Sequence, residues 1–157
     1  MRRLVPKIAL VVLGIVFIGS VLTWPKKAER ADEAQLLSGA RIPQPVLATL
    51  KRSCIDCHSE ATHYPWYSYV FPVSWLIQSD VTQGREHLNL SRWEQYSAIR
   101  QQRRLSEIAN QVQDGDMPLF QYTLIHRDAK LSRDDIAAIF RWTQEERARI
   151  IMETVAR

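Results

Sequence analysis

Ser53-Cys54-Ile55-Asp56-Cys57-His58 is the stretch on which this 157-residue chain is organised. Its core is C-x-x-C-H, the pattern that attaches a c-type haem. On a helical turn Cys54 and Cys57 lie on one face, so both thiols can add to the vinyl groups of one porphyrin. His58 follows at once and can turn its imidazole to the iron as proximal ligand. These are the chain's two cysteines, so no thiol is left for another role. Zinc binding fits poorly, because a zinc site wants about four N/S ligands and no second Cys or His pair accompanies the motif. A thioredoxin-like pair would need a βαβ context, and strand periodicity is scarce. A structural disulfide would leave His58 unexplained.

Upstream, MRRLVPK is short and basic, and residues 8–24 (IALVVLGIVFIGSVLTW) carry no charge. At ~1.5 Å per residue this run nearly spans a hydrocarbon core when helical. It exceeds the ~7–15 residues of a signal-peptide apolar region, and no Ala-x-Ala-like cleavage site follows. An uncleaved anchor is expected over a cleaved signal peptide. A buried core helix is excluded by the missing polar face. Arg2, Arg3 and Lys7 hold the N-terminus in the cytoplasm, with Lys26 and Lys27 as a weak counterweight. The remainder is then expected in the periplasm, where haem attachment by this motif requires it. The expected organisation is an anchor over residues 1–25, a charged tether over 26–42 and one helical domain over 43–157.

The chain carries a formal charge of +4. Three of its positives precede the anchor, so the exported part is close to neutral and nucleic-acid binding is not indicated. The Arg100, Arg103 and Arg104 cluster reads as a solvated helix face.

Leu47, Leu50, Cys54 and Cys57 follow a helical stripe, which puts the motif at the end of an amphipathic helix. Residues 61–72 are aromatic and bounded by Pro65 and Pro72, hence a loop. Trp66 and Tyr67 are candidates for packing on the haem, with ordinary core aromatics as the equal alternative. A helix is expected over residues 73–87, with Trp75, Leu76 and Val81 inward and Gly84 weakening its end. Ser91 and Glu94 suggest a capping box opening a long helix to about Gln113, with Trp93, Tyr96, Ile99, Ile108 and Val112 as anchors. Gly115 can cap its end. Pro118 pushes Met117 out of the α region. Met117 is therefore the best thioether candidate for the sixth iron position, against the alternative of a gap-filling core residue. Ser132 and Asp135 open a last helix with Ile136, Ile139, Phe140 and Thr143 inward, becoming solvated beyond Glu146.

The ordered set Cys54-x-x-Cys57-His58-Ser59, Pro65-Trp66-Tyr67-Ser68, Pro72-Val73-Ser74-Trp75, Gly84-Arg85-x-His87-x-Asn89 and Met117-Pro118-Leu119 resembles a bacterial family of single-haem, cytochrome c-like proteins, the haem-binding domain family. The resemblance covers about residues 45–142. It implies an all-α, cytochrome c-like fold with one covalent haem, His58 as proximal and Met117 as distal ligand.

The expected function is electron transfer by a monohaem c-type cytochrome on the inner membrane, between respiratory-chain partners that the sequence does not name. His/Met ligation leaves no open iron position for a substrate and raises the potential. The alternative is a haem-based sensor or gas binder in which the distal ligand is displaced. No acid/base constellation marks an enzyme, although peroxidase-like use of an open iron is compatible with the motif. His126 is the rival to Met117 as distal ligand.

Overall fold

A computed structural model describes residues 4–25 and 36–156. Among the described residues every regular element is helical, as expected: α1 (Leu4–Leu22), α2 (Gln44–Ser53), α3 (Ile55–His58), α4 (Val73–His87), α5 (Ala98–Asp114), α6 (Phe120–Ile125) and α7 (Arg133–Val155), with 3₁₀ turns between them. Most of the expected tether lies outside the described residues. Its last part is not solvated: Leu36 and Leu37 are buried in the core, and the Leu37 N–H donates to the Leu90 carbonyl at 2.9 Å.

α1 is apolar all round. Its window Val5–Leu22 has a mean hydropathy of 2.4, long and apolar enough to cross a membrane. The last turn, where the apolar run breaks into small and polar residues, docks on the segment that leads into α4. A Cβ on Gly19 would lie 2.5 Å from the Phe71 ring, so only glycine lets the ring approach this closely. The Phe71 N–H donates to Ser20 Oγ at 3.0 Å, and the Thr23 and Ser74 hydroxyls share a hydrogen bond. Trp24 tilts over Tyr69 with ring centroids 4.9 Å apart.

The core forms where α5 and α7 pack together, with α2 crossing α7. Leu105, Ala109 and Val112 of α5, spaced by four and three residues, face Ile139, Trp142 and Ile150 of α7. The Trp142 indole N–H donates to the Arg41 carbonyl at 3.0 Å, so the large apolar ring is buried without an orphaned donor. α7 begins as expected: the Ser132 hydroxyl accepts from the Asp135 N–H, and the Asp135 carboxylate accepts from the Ser132 N–H. The same carboxylate accepts from Thr49 and Arg52 of α2, which ties the two helices together.

Four expectations need correction. The long helix does not open at Ser91. Asn89 caps a 3₁₀ turn there by accepting from the Ser91 N–H, while Ser91 Oγ accepts from Glu60 N–H and Glu94 accepts from Ser38. With both members of the supposed box engaged elsewhere, α5 starts later, capped by Ser97. Ile99 consequently sits at its exposed start, 81% accessible, not in the core. On α4 the inward positions are Ser74 and Val81, and Trp75 and Leu76 point outward, because the helix packs too closely against its neighbours for a large side chain. On α7 the buried face continues past Glu146, which is 2% exposed and held by Arg149 at 2.5 Å.

Asp135 offers a test of the α2/α7 junction. Burial alone would raise its carboxyl, but hydrogen bonds from Ser132, Thr49 and Arg52 hold it well below the usual range. A carboxyl depressed on folding contributes stability above its unfolded pKa of about 3.9, and that contribution is lost as the pH falls below it. Asp135→Asn should cost about 1–2 kcal/mol in urea denaturation at pH 7. The gap to wild type should narrow at pH 3.

Candidate metal centre

The motif does not continue the α2 helix. At Cys54 the backbone leaves the helical region (φ −127°, ψ −34°), and α3 starts afresh with the His58 N–H bonded to the Cys54 carbonyl at 3.0 Å. The stripe of Leu47, Leu50, Cys54 and Cys57 therefore spans a kink. The buried face of α2 is Val46, Thr49, Leu50 and Ser53, with Leu47 beside it. Cys54 and Cys57 are free and partly exposed. Burial pushes both thiols up to about 12, Cys57 with help from the neighbouring Asp56 and Asp80 carboxylates, so both are protonated at neutral pH.

His58 is the best-defined member of the site. Its Nδ1 lies 2.9 Å from the Gly84 carbonyl oxygen and 3.1 Å from that of Leu88. Two carbonyls only accept, so Nδ1 carries the proton and Nε2 keeps its lone pair. Burial lowers the imidazole pKa against the pull of those two carbonyls, favouring the neutral ring. A neutral histidine oriented by a main-chain acceptor is the form in which this side chain binds a metal. The two thiols and the free Nε2 thus fit the group that the motif calls for.

Gly84 makes the arrangement possible. A Cβ there would meet the Cys57 carbonyl oxygen at 2.7 Å and its carbon at 3.2 Å. Backbone cannot yield as a side chain can, so α4 reaches α3 only through a glycine. A glycine inside an otherwise helical stretch is the signal that marks such a contact in a sequence.

Around this pair runs a shell of bonds that the motif did not announce. Arg85 donates to the Ser59 carbonyl and to Thr62 Oγ1, both at 2.8 Å, and fixes the exit from α3. Asp56, between the two cysteines, accepts from the His63 N–H at 3.1 Å and from the Tyr122 hydroxyl at 2.7 Å. Tyr122 lies on α6, directly after the Met117 loop, so this bond ties that loop's far end to the motif. Met117 itself sits half-buried in a bend behind the left-handed Gly115 cap, its N–H on the Gln111 carbonyl at 3.2 Å. Of the two candidate haem-packing aromatics, Trp66 is 78% exposed, and the Tyr67 hydroxyl bonds His126 Nε2 at 2.8 Å. The His126 ring also stacks on Tyr122, centroids 4.4 Å apart.

A cleft of about 1000 Å³ is lined by Asp56 but not by Cys54, Cys57 or His58; it lies between the motif's loop and the end of α1. The histidine geometry, rather than the cleft, therefore defines the centre.

Gly84→Ala tests the close approach. In an exposed helix this change would gain about 1 kcal/mol of helix propensity. Here it should cost about 1–3 kcal/mol in thermal or urea denaturation, because α4 must move off α3.

No curated protein and no solved structure matches the chain. A family model described as "Haem-binding domain" matches residues 13–145, which takes in the end of α1, the whole motif and α7 as far as Glu145. By that match, and consistent with a histidine held ready for iron beside two free thiols, the chain belongs to the haem-binding domain family.

Proposed function

We propose that the protein is a membrane-anchored electron carrier with one haem bound covalently through Cys54 and Cys57. The observation that carries this reading is His58, whose Nδ1 is occupied by two main-chain carbonyls, which leaves the Nε2 lone pair for a metal on the residue directly after Cys57. A bound haem supplies a one-electron iron couple whose potential is set by its axial ligands. The chain's own part is to hold, orient and enclose. Cys54 and Cys57 fix the porphyrin edge. The Gly84 and Leu88 carbonyls fix the plane and protonation of the proximal ring. Asp56, Tyr122 and Arg85 brace the loop on either side.

Met117 is the distal ligand in this reading. Its bend is fixed from behind by Gly115 and from ahead by Tyr122 and Gln121, which bonds Asp80 at 3.4 Å. Thioether sulfur favours the ferrous state and raises the potential. His126 is the less suitable rival, since using Nε2 would break its bond to Tyr67. α1 serves as an uncleaved anchor, with the haem domain on the periplasmic side of the inner membrane and a respiratory redox protein as partner.

Made in an exporting host that matures c-type cytochromes, the protein should keep its haem through denaturing electrophoresis, and Cys54→Ser with Cys57→Ser should release it. Protein that gains zinc and never haem would overturn the reading.

For the distal side, Met117→Ala should abolish the far-red sulfur-to-ferric band, lower the potential and admit carbon monoxide to the reduced iron. His126→Ala should leave the spectrum nearly unchanged. Ready carbon monoxide binding by the wild type would replace the closed carrier with a gas binder.

A further inference from the structure

The docked end of α1 closes one side of the large cleft. Trp24 stands on that wall, Trp66 and Tyr64 line the loop wall, and His63, Asp56 and His126 supply polar groups. Its volume of about 1000 Å³ lies at the upper end of small-ligand sites. Flat aromatic walls suit a planar ring, and His63 and His126 approach from different chain segments, so they can address polar atoms at separate points on that ring. The His63 ring is largely exposed, its Nδ1 3.6 Å from Asp56 Oδ1. An acyl chain would not use these polar groups, and the rigid face of a protein partner would not enter a concave cleft.

Position narrows the ligand further. The cleft lies where the apolar run leaves the span, within reach of a molecule dissolved in the bilayer. It also abuts the motif, because Asp56 is one of the two residues between the cysteines. A ligand that is planar, carries oxygen at opposite ends, partitions into lipid and exchanges electrons beside a redox centre is a quinone.

We propose that this cleft binds the ring of a lipid-soluble para-quinone and that its hydroquinone form is the protein's electron donor, an inference that rests on the carrier reading above. The exchange balances. One hydroquinone loses two O–H bonds, releases two protons to the solvent at the open cleft, and reduces two ferric irons to ferrous in successive encounters, leaving the quinone. His63 positions one ring oxygen, and His126, whose Nε2 stays on the Tyr67 hydroxyl, addresses the other through Nδ1.

The test uses the full chain in lipid nanodiscs and radiolabelled decyl-benzoquinone, with empty nanodiscs as the partition control and a short-tailed naphthoquinone as a second probe. Saturable binding above the control is expected. His63→Ala and Trp24→Ala should each weaken it at least tenfold. Gly19→Leu, which forces the Phe71 ring away and undocks α1, should do the same, whereas Ile99→Ser, remote on α5, should not. The haem spectrum should be the same in all four variants, so a protein without haem would sink the carrier reading while binding is read separately. Binding no greater than in empty nanodiscs would overturn the proposal. So would unchanged affinity in the three cleft variants, or displacement by decanol as effective as by unlabelled quinone, which would mark a lipid-tail groove.

Discussion

The approach of α4 to α3 is the contact on which the rest of the centre depends. It brings the Gly84 carbonyl under the His58 ring while leaving no room for a Cβ over Cys57. One contact therefore sets the spacing of two helices, the tautomer of His58 and the direction of its lone pair. It also explains why the inward face of α4 is built from Ser74, Val81 and Gly84 while Trp75 and Leu76 look outward. A helix that must come close to its neighbour's backbone cannot bring large side chains with it.

Much of the fold is legible in the order of residues along the chain. The Ser132 box and the Gly115 cap act within a few residues of themselves, and both stand as local chemistry dictates. Ser91 misleads because its hydroxyl is recruited by Glu60, far away in sequence, and a long-range partner outcompetes the local one. Glu146 misleads for a related reason. In sequence it begins a charged, solvated tail, but Arg149 folds back on it and lets the pair be buried.

At the site, the candidate residues Cys54, Cys57 and His58 can be named from the sequence because the spacing of their chemistry is short. Their supports cannot. Asp56, Tyr122, Arg85 and the Leu88 carbonyl come from three separate segments, and only folding joins them. Tyr122 is the instructive case: a single hydroxyl links α6 to the middle of the motif, and burial together with Asp56 raises its pKa, so it stays a donor at any physiological pH. Nothing in its immediate neighbours marks it.

The docking of α1 bears on how the domain would behave if cut free. Gly19, Ser20 and Thr23 satisfy groups that belong to the globular part: the Phe71 amide, the Phe71 ring and the Ser74 hydroxyl. A soluble fragment beginning after Trp24 would uncover an aromatic ring and an unpaired N–H on one spot of its surface. Such a spot invites self-association. The end of α1 is thus part of the folded body, and this domain is covered on one side by its own N-terminal helix.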